Sequence, residues 1–144
     1  MDKNLNKLLS DFVVMYHKLQ NFHWYVKGKD FFTAHAKLEE LYDEMNEGVD
    51  DVAELILMLG GSPKASLKDF LAEASIQEAK MEHKKSKDVY GEVLADYEYL
   101  LKSVKEIKCQ SEEQEVDVVG VHMDDYIKNF TKTIWMIKQV VEVE

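Results

Sequence analysis

The chain has 144 residues, of which 28 are acidic and 18 basic, so its formal net charge at pH 7 is -10. Every basic residue is a lysine, and the lack of arginine argues against sequence-specific nucleic-acid recognition, which relies on the bidentate guanidinium group. The negative field also opposes binding of a polyanion. A single cysteine, Cys109, cannot form an internal disulfide, and no apolar run reaches membrane-spanning length. These features predict one soluble, acidic domain over residues 1–144, located in the cytoplasm.

Apolar residues recur at steps of three and four in four long segments, which predicts four amphipathic helices. The first helix carries its apolar stripe from Leu5 to Val26 and stops at Gly28. The second begins at Thr33, whose hydroxyl can cap it, and ends at the Gly-Gly-Ser-Pro terminator of residues 60–63. These two helices are the most regular part of the pattern.

The connection to the third long helix contains a short helix. Ser66 can cap this helix, which extends through Leu71, and the third long helix then begins at Ser75 or Ile76. A polar stretch, residues 108–115, separates it from the last helix. Residues 116–121 are rich in β-branched side chains and locally favour a strand, but with no partner strand expected we assign them to the last helix. The predicted fold is all-α, an antiparallel four-helix bundle whose short helix crosses between the second and third long helices.

Familiar catalytic motifs are absent from the sequence. There is no glycine-rich phosphate loop, no Cys-x-x-Cys pair and no His-Glu-x-x-His helix, and the simplest interpretation of Cys109 is an incidental thiol. Bundles that hold two metal ions at their own centre use Glu-x-x-His on two helices. None of the five histidines has a glutamate three residues before it, so a di-metal site within one chain is excluded.

Spacing on the second helix points instead to a site shared by two chains. His35 and Glu39 are four residues apart on one helix face, and so are Asp50 and Glu54. Both pairs lie along one side of the helix, yet the step between them rises about 16 Å, beyond the reach of one metal ion. Two copies packed antiparallel about a two-fold axis would bring the pairs together, with His23 as a further ligand. Two imidazoles and three carboxylates suit iron, manganese or zinc.

The same residues also have a simpler interpretation. An acidic helix carries carboxylates at a spacing of four by chance, as part of a solvated face. A single histidine such as His23 is more often a hydrogen-bonded core residue than a ligand. The neighbouring Trp24 is more often a core or interface residue than a participant in redox chemistry. Spacing alone leaves both interpretations open.

Three short segments resemble the Dps family of mini-ferritins. They are residues 21–25 (NFHWY), 31–35 (FFTAH) and 50–54 (DDVAE). Residues 60–71 are similar to the family's loop and short helix, and residues 134–137 (IWMI) to its last-helix signature. The resemblance extends over nearly the whole chain.

This resemblance implies a hollow dodecameric shell with di-iron ferroxidase centres at its two-fold interfaces. Matched by position, the iron ligands would be His23, His35, Glu39, Asp50 and Glu54. Glu39 stands where the family usually has aspartate, so its longer arm would change the site most. Trp24 matches a tryptophan suggested to intercept oxidising equivalents. The implied activity is oxidation of Fe(II), with hydrogen peroxide preferred over oxygen, followed by storage of ferric mineral.

The resemblance also bears on iron entry and on DNA. Acidic pores form at the start of the last helix, where Asp117 fits one pore position and Glu112 another, while Val121 replaces a common aspartate. Family members that bind DNA often use a basic tail, whereas residues 140–144 (VVEVE) are acidic, so DNA binding is not expected. The alternatives to a ferroxidase are a DNA-compacting shell, a shell that binds zinc or manganese without turnover, and a structural or receptor-binding assembly.

Overall fold

The computed structural model describes residues 1–142, and the last two residues of the acidic C-terminal run, Val143 and Glu144, lie outside the described residues. In chain order the elements are α1 (Asp2–Tyr25), β1 (Val26–Lys27), α2 (Phe31–Met58), α3 (Leu67–Glu73), β2 (Lys84–Lys85), α4 (Ser86–Glu113) and α5 (Asp117–Val141). Four long helices and one short helix confirm the predicted bundle. Among the described residues, no helix is long and apolar enough to cross a bilayer.

The core lies between two helical hairpins, α1 with α2 and α4 with α5. The fully buried Phe12 of α1 reaches across to α5, where its ring meets the rings of Tyr126 and Phe130 edge-on at centroid distances of 5.3 and 6.0 Å. Gly48 of α2 allows this close approach, because an added Cβ would lie 3.0 Å from a carbon of the Phe12 ring. The apolar stripes read from the sequence therefore face one another in a single core.

The connection between α2 and α4 runs the whole length of α1. Polar side chains of α1 bind it at successive levels. The Lys64 N–H donates to Asn6 Oδ1 at 2.7 Å, and the N–H groups of Ser75 and Ile76 donate to Asp11 Oδ1 at 2.7 and 3.0 Å. Further along, Asn21 Nδ2 donates to the carbonyl oxygen of Ala79 at 3.3 Å. Helices α2 and α4 consequently start at the same end of the bundle, as the predicted crossing connection requires.

Two carboxylates, one buried and one partly buried, connect α1 to its neighbours. Asp11 is 1% exposed, and its second oxygen accepts a hydrogen bond of 2.7 Å from the Tyr99 hydroxyl of α4. Lys18 forms an ion pair of 2.8 Å with Asp96 of α4. Burial raises the pKa of Asp96, although the Lys18 ammonium opposes this shift.

The expected start of the third long helix was wrong. That helix, α4, begins at Ser86 rather than at Ser75 or Ile76, because the backbone N–H groups of both residues bind Asp11 instead of entering a helix. The chain then forms no helix before β2, which pairs in parallel with β1 in the register Val26 to Lys84. This two-residue pairing also removes Val26 from the first helix, to which its apolar spacing had assigned it.

Other helix boundaries moved by a few residues. Helix α2 begins at Phe31, two residues before Thr33, and α4 continues through the polar stretch to Glu113. The turn that follows places Glu115 in the left-handed region with φ 57°. Residues 117–121 belong to α5, so the choice of helix over strand for the β-branched segment is confirmed from Asp117 onwards.

Candidate metal centre

Two histidines from different helices form reciprocal hydrogen bonds where the chain reverses between α1 and α2. His23 Nδ1 lies 2.7 Å from the backbone oxygen of His35, and His35 Nδ1 lies 2.8 Å from the backbone oxygen of His23. Because a carbonyl oxygen only accepts, each Nδ1 must carry a proton, and the Nε2 of each neutral ring keeps a free lone pair. The two rings stack with centroids 3.6 Å apart. Such outer hydrogen bonds orient metal-binding imidazoles.

A tight reversal of the chain brings this pair together. Gly28 has φ 131°, a conformation that side chains disfavour, and its carbonyl oxygen accepts a hydrogen bond of 3.2 Å from the Phe31 N–H. Helix α2 starts at once, so His35 lies level with His23 across the hairpin. The Phe31 ring covers the outer side of His35, with centroids 4.8 Å apart. The local sequence therefore builds a rigid stack of two imidazoles and a phenyl ring.

Glu39 extends the pair by one carboxylate. Its Oε1 lies 3.7 Å from His23 Nε2, and the same oxygen accepts a hydrogen bond of 3.4 Å from the Tyr42 hydroxyl. Two ligand atoms that each lie about 2.1 Å from a divalent ion and subtend roughly 120° are about 3.6 Å apart. The gap between the two atoms therefore fits one first-row metal ion. His23 is buried and the Glu39 side chain is 55% exposed, so the gap opens to the surface.

Partial desolvation raises the pKa of Tyr42, and the negative charges of Glu39 and Asp43 add to this shift. The phenol therefore remains a protonated hydrogen-bond donor at neutral pH. Its ring also meets the ring of His23 edge-on at 5.2 Å.

Asp50 and Glu54 lie on the same helix, but one chain does not bring them to the histidines. Eleven residues separate Glu39 from Asp50, a rise of about 16 Å along α2. Both carboxylates are exposed at the edge of an acidic groove of about 510 Å³. Across residues 1–142 no group of three or more His, Cys, Asp and Glu side chains is gathered closely enough to hold a metal ion. One protomer therefore carries two separated parts of the predicted ligand set.

The acidic groove contains residues that the sequence reasoning missed. Glu44, Glu47 and Asp51 line it from α2. From α5, the Tyr126 hydroxyl donates a hydrogen bond to Asp51, and His122 Nε2 lies 3.4 Å from Asp51 Oδ1. Desolvation raises the pKa of Glu44 and of Tyr126. The available signal was the continued spacing of three and four among the acidic residues of the second helix.

The other predicted residues lie on the surface of the chain. Trp24 is 55% exposed, and its ring meets the His17 ring edge-on at 6.0 Å. Asp117 is exposed in the first turn of α5, and Glu112 is exposed near the end of α4. Val121 is also exposed, at 62%. Their exposure leaves these positions open for contact with other subunits or with solvent ions.

Comparison with known proteins identifies the class of this bundle. A family described as "Ferritin-like domain" matches residues 2–143. A Helicobacter pylori protein named "DNA protection during starvation protein" is 36% identical over 134 residues, which cover 93% of each chain. A Bacillus anthracis protein, "DNA protection during starvation protein 2", is 38% identical over 147 residues, covering 93% of this chain and 91% of the relative.

Solved structures agree with these relatives. Dps from Staphylococcus aureus has a TM-score of 0.95 and 33% identity, covering 99% of this chain and 95% of that one. A Dps protein from Bacillus brevis has a TM-score of 0.92 and 36% identity, covering 96% of this chain and 92% of that one. The fold and these relatives thus define a ferritin-like four-helix protein. Within that class the chain belongs to the Dps family, whose members are known for iron binding and DNA protection and generally form oligomeric shells.

Proposed function

We propose that this protein is a ferroxidase that oxidises Fe(II) with hydrogen peroxide at di-iron centres shared by two subunits and stores ferric mineral inside a dodecameric shell. The observation that carries the proposal is the pair of reciprocal hydrogen bonds between His23 and His35, formed beside Glu39. It leaves His23 Nε2 at 3.7 Å from a Glu39 carboxylate oxygen, with the His35 ring stacked on the His23 ring. Structural histidines would account for the hydrogen bonds to backbone oxygens, but they give no reason for the Glu39 carboxylate beside His23 Nε2.

The centre would be completed by a partner about a two-fold axis. His23, His35 and Glu39 of one subunit would face Asp50 and Glu54 of the other, and the reciprocal arrangement would give two centres per dimer. Imidazole and carboxylate ligands suit Fe(II), which enters here as substrate. The three carboxylates would neutralise the additional charge that iron gains on oxidation.

Paired iron ions allow peroxide to be reduced without release of hydroxyl radical. Each of two Fe(II) ions gives up one electron, the O–O bond of hydrogen peroxide breaks, two protons are taken up and two water molecules form. The exposed Trp24 beside His23 would intercept oxidising equivalents that escape this balanced reaction. Acidic pores that include Asp117 and Glu112 would attract Fe(II), although Val121 contributes no charge at its position.

Protection of DNA by this protein would be chemical rather than through direct contact. The formal charge of -10 is repeated in every subunit, and all the bases are lysines, so the shell would repel a polyanion. We expect no retention of plasmid in a gel-shift assay at physiological salt, and retention without added metal would contradict this expectation. We place the protein in the cytoplasm because its single Cys109 needs no oxidising compartment.

The test is anaerobic loading of the assembled protein with Fe(II), followed by hydrogen peroxide, with ferric absorbance and trapped hydroxyl radical recorded together. We expect two Fe(II) ions to be oxidised per peroxide with little radical trapped. The variant His35→Ala should lose this reaction. His83→Ala is the matched control, because His83 is exposed on the connection, where it contacts the backbone oxygen and the ring of Tyr25 and none of the proposed ligands.

The outcomes separate the candidate functions. Oxidation by His35→Ala at the wild-type rate would show that the centre is assigned wrongly. Binding of zinc or manganese by the wild type, with no iron oxidation above the protein-free rate, would favour a metal-binding shell without turnover.

A further inference from the structure

Tyr42 contacts two of the proposed ligands without being a ligand itself. Its hydroxyl donates to Glu39 Oε1 at 3.4 Å, and the edge of its ring meets the His23 ring at a centroid distance of 5.2 Å. Glu39 Oε1 is the same atom that lies 3.7 Å from His23 Nε2. One oxygen atom is therefore placed between a phenol and an imidazole.

We infer that Tyr42 is a positioning residue, whose hydroxyl holds the Glu39 carboxylate at metal-binding distance from His23. The inference rests on the proposed function, in which Glu39 is a ligand. Glu39 is more than half exposed and has three rotatable side-chain bonds, so in isolation its carboxylate would sample many positions. A donor three residues later on the same helix face can select one of them.

Tyr42 is itself held in place, which a positioning residue requires. Its half-buried ring is set between His23 and Tyr16, and the Tyr16 ring meets it edge-on at 5.9 Å. Both contacts are made by the ring and need no hydroxyl. Replacing Tyr42 by phenylalanine would therefore keep the aromatic packing and remove only the hydrogen bond to Glu39.

The probe is Co²⁺, which suits the same ligands and reports its coordination through visible absorption without redox turnover. It is titrated into the assembled, metal-free protein, and affinity is measured by calorimetry. We expect Tyr42→Phe to weaken Co²⁺ binding about three- to tenfold and to change the absorption band, because one charge-assisted hydrogen bond has been removed. Tyr16→Phe is the matched control, with unchanged affinity and spectrum expected.

A double-mutant test distinguishes positioning from a general structural effect. If Tyr42 acts through Glu39, Tyr42→Phe should change affinity less than about 1.5-fold in a Glu39→Ala background. An equal loss in both backgrounds would overturn the inference, and so would wild-type affinity and spectrum in Tyr42→Phe. Thermal unfolding checks that each variant is folded.

Failure of the proposed centre would give a different result. If His35→Ala and Glu39→Ala both leave Co²⁺ binding unchanged, the ligand set is wrong, and the role of Tyr42 falls with it. If both weaken binding and Tyr42→Phe does not, only the positioning role is refuted.

Discussion

A shared centre makes a numerical prediction for shells assembled from two different inactive subunits. His35→Ala removes an imidazole from one part of the ligand set, and Asp50→Asn removes a carboxylate from the other. If each centre takes its imidazoles from one subunit and Asp50 from the partner, a mixed dimer has one centre with both defects and one centre with neither. Subunits that are inactive alone should therefore recover activity together.

The size of the recovery follows from the two-fold geometry. Equal amounts of the two variants combine at random so that half of the dimers are mixed, and half of the centres in those dimers are intact. About one quarter of the wild-type rate of peroxide-driven Fe(II) oxidation is expected per subunit. A site closed within one chain would recover nothing, because every chain would carry a defect.

The assay compares three refolded samples at the same subunit concentration: each variant alone and the equal mixture. Size-exclusion chromatography confirms assembly of all three, and ferric absorbance gives the rate. Substituting His83→Ala for His35→Ala provides the control. All imidazoles are then intact and half of the centres take an intact Asp50, so about one half of the wild-type rate is expected. A mixture that stays as inactive as its two parents, while fully assembled, would refute the shared centre.

Three further predictions concern stability and are checked by thermal or denaturant unfolding. Asp11→Ala should lower the free energy of unfolding by about 3–5 kcal/mol, because it leaves three donors without their acceptor: the half-buried Tyr99 hydroxyl and two backbone N–H groups of the connection. A loss below about 1 kcal/mol would contradict this account. In Gly48→Ala the new methyl group would press on the Phe12 ring, which outweighs the gain in helix propensity, so a net cost of roughly 1 kcal/mol is expected. A raised melting temperature would show that the ring gives way. Partial desolvation raises the pKa of Glu44, so the folded state binds its proton more tightly than the unfolded state does. The free energy of unfolding therefore falls as pH rises above 4.5. Glu44→Gln should therefore flatten this loss and raise the melting temperature at pH 7, and a lower melting temperature would refute the sign.

The sequence predicted the bundle because helical periodicity is local and strong. The stripes of the first two helices end at glycine-containing turns, which the structure reproduces at Gly28 and Gly60 with positive φ. The start of the third long helix could not be found in this way. The backbone N–H groups of residues 75 and 76 donate hydrogen bonds to Asp11, which lies 64 and 65 residues earlier. No local sequence pattern predicts a contact over that separation.

The candidate site was predictable to a similar extent. Helix spacing separated the pair at 35 and 39 from the pair at 50 and 54, and the position of His23 near the end of the first helix made it a further candidate ligand. The roles of these residues as ligands stay predictions. What the sequence could not supply was the orientation of the imidazoles, which depends on two side-chain hydrogen bonds to backbone oxygens across the hairpin. The contact between Tyr42 and Glu39 was equally hidden, because an aromatic residue at helical spacing is more often a packing residue.

The distance between the two parts of the ligand set explains why activity would depend on assembly. Helix α2 is continuous from Phe31 to Met58, so no hinge within it can carry Asp50 across the roughly 16 Å to Glu39. A conformational change within one subunit therefore cannot replace the partner. A dissociated subunit would keep the hydrogen-bonded pair of His23 and His35, but it would lack the carboxylates that a partner subunit supplies. Under the proposed function, iron oxidation would then begin only where two subunits have met, so oxidised iron would form at the interfaces between subunits of the shell.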